Sequence, residues 1–235
     1  MSVELWYWPT IPGRGEFVRL FLEAAEVEYD DMAREKGAEA LVEDLACRTG
    51  IRPFAPPYIV DGDLCIGQTA HILAYLTDKQ GLSTGEIKLD LQLIQLQLDI
   101  SDLVEEIHST HHPISAGLYY QDQMDAAYEK AIAFREQRIP KYLDHFEAAL
   151  ESLGGPFVLG DQWSHVDTSL FQVMEGLDYM FPNYMKKMQG SWPWLEGLQS
   201  AVPEIDGVAA YLASERRIPF NEDGIFRHYE ELDET

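Results

Sequence analysis

Positive charge is scarce in this chain: 17 Lys and Arg stand against 41 Asp and Glu, a formal charge of −24. So acidic a surface repels phosphate backbones and anionic headgroups, and nucleic acid and membranes are disfavoured as partners. A well-solvated exterior is the plain use of that charge. Cysteine is nearly absent. Cys47 and Cys65 stand far apart with no CxxC, which excludes a disulfide framework or zinc site and fits a reducing, cytoplasmic compartment. Long apolar runs are missing too. Nothing approaches the roughly 18 consecutive apolar residues of a membrane span. The opening Met1-Ser2-Val3-Glu4-Leu5-Trp6 lacks the basic-then-apolar order of a secretory signal. Neither an internal repeat nor a low-complexity tract occurs.

What is there is a chain of 235 residues, 46% apolar, long enough to bury a sizeable core. Residues 1–80 alternate in type. The stretch 3–8 (VELWYW) reads as a strand. A helix starts near Arg14, with Phe17, Leu20, Phe21 and Ala24 on one buried face. Residues 27–32 suggest a second strand and 37–46 a second helix. Tyr58-Ile59-Val60 and Leu64-Cys65-Ile66, joined through Asp61-Gly62-Asp63, make a hairpin signal. Helix resumes at Thr69, a good N-cap, and runs to about Asp78.

The polar, glycine-bearing stretch 79–86 marks a boundary. It gives an α/β domain over 1–80, a linker over 81–87 and an all-helical domain over 88–235. Residues 89–98 nearly alternate like a strand, but Leu89, Leu93, Leu96, Ile100, Leu103 and Ile107 keep helical spacing. A long helix over 123–153 is expected, kinked at Pro140. Ser164 and Asp167 form a capping box for another, a folding role and not a chemical one. Shorter helices fill 192–213, and the tail beyond Arg217 is irregular.

Some residues carry chemistry by type and place. Pro56 and Pro57 stand at the mouth of an apolar strand, where proline has no N–H to give. Gln68 and Thr69 open a helix, whose unpaired N–H groups and dipole favour an anion; an ordinary cap is the simpler use. His108, His111 and His112 share helical spacing near Glu105. No metalloprotease-type opening or distant ligand group accompanies them, so no metal is expected.

In their order and spacing, Tyr7-Trp8-Pro9 with Gly13-Arg14, Pro57-Tyr58-Ile59-Val60-Asp61-Gly62-Asp63, Gln68-Thr69, Asp102 and Gly160-Asp161-Gln162-Trp163-Ser164-His165-Val166-Asp167 resemble the cytosolic glutathione transferases. The likeness covers essentially the whole chain. Its class is open, tyrosine type ahead of serine type. It implies a thioredoxin-like N-terminal domain that binds glutathione and an all-α C-terminal domain that contributes the electrophile pocket.

The resemblance also assigns roles. Pro57 takes the place of a cis-proline that bares backbone groups to the tripeptide, which pairs as an added strand. Pro56 departs from the pattern: it can only accept a bond where relatives also donate, a loss of about 0.5–1.5 kcal/mol. Gln68 and Thr69 would hold the γ-glutamyl carboxylate. Asp102 would reach the ammonium in a neighbouring subunit, implying a homodimer, though a solvated helix carboxylate is an equally plain reading. Lys36, Arg48 and Arg52 are rivals for the glycyl carboxylate.

Tyr7 would donate to the glutathione sulfur, since thiolate is the nucleophile and free thiols titrate near pH 8.5. The stretch from Tyr7 to Gly13 is one residue longer than in the tyrosine classes, which makes Thr10 a rival hydroxyl. Arg14 would add positive potential. His108 and His112, with Tyr119 and Tyr120, would face the second substrate and make its pocket less oily. The expected activity is a glutathione S-transferase acting on a small, largely apolar electrophile, with glutathione as co-substrate. A non-catalytic glutathione- or ligand-binding protein on the same fold is the alternative. A thiol–disulfide oxidoreductase is disfavoured, because no cysteine lies near Thr10.

Overall fold

The computed structural model describes residues 2–234. The chain divides into two compact units, Met1–Gln97 with Pro203–Pro219, and Leu98–Val202 with Phe220–Thr235.

In the first unit four strands form a sheet ordered β2-β1-β3-β4: β1 Val3–Trp6, β2 Tyr29–Asp31, β3 Tyr58–Asp61 and β4 Leu64–Gly67. β1 pairs parallel with β2, as a crossover through a helix requires, and antiparallel with β3, which turns back into β4. Helices α1 Gly15–Ala24, α2 Met32–Lys36, α3 Ala38–Cys47 and α4 Thr69–Lys79 complete the α/β part. The period of two sorts the side chains. Trp6, Tyr58, Val60 and Cys65 share the face that packs with α2 and α3 through Met32, Ala33 and Leu41.

Expectation and structure differ in detail here. The first strand stops at Trp6, so Tyr7 stands just past it. A short helix, α2, precedes the one expected near residue 37. Gln68, and not Thr69, occupies the N-cap of α4, at φ 71°, and no side chain caps that helix. Helix α1 is buried on every side, not on one apolar face. Its charged residues survive there because they are paired. Arg19 bonds Glu16 at 3.2 Å and Asp31 at 2.7 Å, and Glu16 also takes the Tyr211 hydroxyl at 2.6 Å and Arg217.

Helix α5, Ile87–Thr110, has the expected spacing, with Leu93, Leu96, Ile100, Leu103 and Ile107 buried. The second unit continues through α6 Met124–Ala133, α7 Ile139–Leu153, α8 His165–Met180, α9 Pro182–Lys187 and α10 Pro193–Ala201. α11, Asp206–Leu212, belongs to the first unit. The single helix expected over 123–153 is two helices joined by a π-helical turn, Phe134–Arg138. Pro140 sits in the first turn of α7, where its missing N–H costs nothing, and the wider turn before it absorbs the mismatch.

Candidate functional site

Tyr7 follows β1 directly and points its ring under the loop that enters α1. It is 4% exposed, and its hydroxyl accepts the Arg14 N–H at 2.8 Å. Among the described residues no acceptor is placed for the hydroxyl's own proton. Burial pushes the phenol pKa up, against the pull of the Arg14 bond and of the Arg14 and Arg19 charges. The phenol is therefore protonated at neutral pH.

The loop lies on the ring because two glycines allow it. A Cβ on Gly13, at φ 46°, would come within 2.1 Å of the Tyr7 oxygen, and one on Gly15 within 2.5 Å of its ring. Arg19 holds the assembly from behind. Its Nη1 donates to the Pro12 carbonyl at 3.4 Å and its guanidinium lies 5.9 Å from the centre of the Tyr7 ring. Gly15, Glu16 and Arg19 were not singled out in the sequence. Charged residues interrupting an apolar helix were the signal available.

Thr10 is exposed in the turn ahead of this loop, and Arg14 is half-buried at the N-cap of α1. The Pro56–Pro57 bond is cis, and Pro57 is buried at the head of β3. Gln68 is exposed and Thr69 half-buried at the opening of α4. All of these residues lie in the first unit.

The three basic candidates fare differently. Lys36 places its ammonium 5.9 Å from the Trp6 ring centre. Arg48 makes a two-bond fork to Asp44 at 2.8 and 2.9 Å, and Arg52 donates to the Arg48 carbonyl at 3.3 Å. Cys47 and Cys65, remote in sequence, line one cavity of about 570 Å3 with these two arginines, and both are free thiols.

In the second unit Asp102 is exposed on α5. The histidines do not all ride that helix, which ends at Thr110. Their rings meet nonetheless, His111 lying 5.3 Å from His108 and 4.9 Å from His112. His111 is buried and donates from Nε2 to the Ile225 carbonyl at 2.8 Å; burial pushes its pKa down to about 3, despite that bond. His112 Nδ1 lies 3.1 Å from the Leu118 carbonyl, and burial, aided by Arg227, lowers its pKa. Tyr119 is exposed, whereas Tyr120 is buried, stacks on Tyr229 at 3.8 Å and donates to Glu231. Gln123, another residue the sequence did not flag, organises this loop: its Oε1 accepts the Ile114 and Ser115 N–H groups at 2.9 and 3.3 Å. Among the described residues no group of three or more His, Cys, Asp or Glu is arranged to hold a metal, and no helix is long and apolar enough to cross a membrane.

Comparison with known proteins agrees with this architecture. The family described as glutathione S-transferase, C-terminal domain, matches residues 108–215. Glutathione S-transferase A1 of Bos taurus is 28% identical over 214 residues, covering 89% of each chain. Glutathione S-transferase Mu 4 of Homo sapiens is 25% identical over 229 residues, covering 93% of this chain and 94% of its own. The solved Pi-class glutathione S-transferase of Onchocerca volvulus superposes with a TM-score of 0.66 at 24% identity, over 95% of this chain and 99% of that one, a likeness of fold. Relatives from more than one class match at similar distance, so the class stays unresolved. Domain match and near full-length relatives agree in making the chain similar to glutathione S-transferases, and the solved structure shares its fold.

Proposed function

We propose that this protein activates the thiol of glutathione for attack on a small, largely apolar electrophile, with Tyr7 as the donor to sulfur. The observation that carries the reading is that the Tyr7 hydroxyl accepts the Arg14 N–H at 2.8 Å while no acceptor is placed for its own proton among the described residues. A hydrogen bond received makes a hydroxyl a better donor, and a donor aimed at sulfur favours thiolate over thiol. The thiol proton leaves to solvent and the sulfur then attacks the electrophile. Burial of the phenol supports this role, because a phenol that stays protonated donates at every pH where the enzyme works.

The other site residues take positions in the same scheme. The backbone at Pro56, just ahead of β3 and the cis bond, receives the peptide part of glutathione, and Gln68 and Thr69 at the head of α4 receive its γ-glutamyl carboxylate. Arg14 adds positive potential. His108 and His112, with Tyr119 and Tyr120, face the second substrate. Asp102 serves the ammonium of a ligand bound by a partner subunit. A homodimer suits the first unit's surface, where Phe54 is 96% exposed and Ile51, Ile87 and Leu91 are exposed with it. Sedimentation velocity checks this, a dimer being expected and a monomer at micromolar concentration excluding it. Two free thiols suit a cytoplasmic location.

The deciding experiment is Tyr7→Phe assayed on a panel of electrophiles. Loss of one charge-assisted hydrogen bond is worth about 1.5–3 kcal/mol, so kcat/KM falls roughly 10- to 100-fold. The midpoint of its pH profile rises by about one to two units. Thr10→Ala changes neither. An unchanged Tyr7→Phe rate excludes the phenol as donor. Retention on immobilised glutathione without turnover of any electrophile would identify a binding protein instead.

A further inference from the structure

The second unit contains a cavity of about 500 Å3 between the end of α8, α9 and α10. Three of the chain's seven methionines converge on it, Met174, Met185 and Met188, together with Trp192. Met174, Met185 and Trp192 are buried, so they make a floor. Thioether side chains are unbranched and polarisable, and a floor built from them adapts to apolar bodies of differing shape. The volume falls within the roughly 300–1,000 Å3 of small-molecule pockets.

The rim is acidic. Asp178 and Glu196 line it, and Gln199 Nε2 donates to Asp178 at 2.8 Å and to the adjoining Glu175 at 2.6 Å. Burial pushes the Asp178 carboxyl up, the Gln199 bond pulls it down, and repulsion from Glu196 pushes it up again. Lys186 is the one cation among the lining residues. Three carboxylates around one ammonium leave a net negative mouth over an apolar floor, and a bound cation would relieve their repulsion.

We propose that this cavity binds amphiphilic organic cations, with an aromatic or alkyl body on the methionine floor and an ammonium against Asp178 and Glu196. The site is separate from the Tyr7 chemistry and does not depend on it.

Phenylbutylamine, phenylbutanol and phenylbutyrate test the proposal, because they share one apolar body and differ in charge. Their titration is followed by NMR of isotope-labelled methionine methyls, assigned by single Met→Leu variants. The amine is expected to move Met174, Met185 and Met188 on one saturating curve. It should bind roughly fivefold tighter than the alcohol, with the carboxylate weakest. Asp178→Asn keeps an oxygen for the Gln199 bond. It should erase the preference for the amine, leaving binding of the alcohol and glutathione conjugation unchanged. Equal affinity for the three compounds, a preference that survives in Asp178→Asn, shifts shared by all seven methionines, or no shift at all would each overturn it.

Discussion

Tyr7 keeps its place because the backbone above it has no side chains to interfere. At Gly15, in the first turn of α1, an added methyl would meet the Tyr7 ring carbons at 2.5 Å, and the buried ring has nowhere to move. Gly15→Ala should therefore cost about 1–3 kcal/mol in urea unfolding, the usual range for overpacking. It should also lower kcat under conditions where the variant is still folded, because the hydroxyl shifts from its Arg14 bond. Unchanged stability and unchanged kcat together would mean that the ring is not wedged there. Gly13-Arg14 was legible beside Tyr7 in the sequence. Gly15 was not, since a glycine in a first helical turn only reads as a weak helix former; its reason lies in a side chain eight positions earlier.

At the scale of the element, α8 shows how a local rule can be read and yet leave its energetics hidden. Ser164 caps the helix and Asp167 bonds back to the Ser164 N–H at 2.7 Å, the capping box expected from the sequence. What the pattern did not disclose is that Asp167 also takes the Val158 N–H at 2.7 Å and is wholly buried. Burial overrides these bonds and raises its pKa from 3.8 to about 6. A carboxyl whose folded pKa lies above its unfolded value stabilises the fold most below the unfolded pKa, and that stabilisation is lost as pH rises through the folded one. Between pH of about 4 and 6 the unfolding free energy of the protein minus that of Asp167→Asn should therefore fall, by about 2–3 kcal/mol. A difference that stays flat or rises over this window would contradict the burial account.

Across the whole molecule, a charge of −24 sets the response to salt. Self-repulsion of an acidic chain is screened as the Debye length shrinks from about 30 Å at 0.01 M salt to about 8 Å at 0.15 M. The calorimetric Tm should rise by a few degrees over that range at constant pH. Paired groups such as Glu23 with Arg216, or Glu106 with Arg138 at 2.7 Å, act the other way because screening weakens attraction too. A Tm that falls would mean that these pairs outweigh the repulsion.

The sequence by itself determined the four strands of residues 1–80 and their alternation with helix, α2 excepted, together with the hairpin at Asp61-Gly62-Asp63, the helical nature of 89–98 and the capping box at Ser164. Each is a matter of side-chain period, turn chemistry or a cap, and so of neighbours along the chain. Only the tertiary structure decided the rest. The break of the long helix fell at a π-helical turn ahead of Pro140. α11 returned to α1, where Gly207 leaves room for the Glu23 carbonyl at 1.9 Å from a would-be Cβ. Arg19 was buried among Glu16, Asp31 and Tyr7, and two remote cysteines met on one cavity wall. These outcomes rest on contacts between segments far apart in the chain, where packing and desolvation choose the partners and no local spacing records the choice.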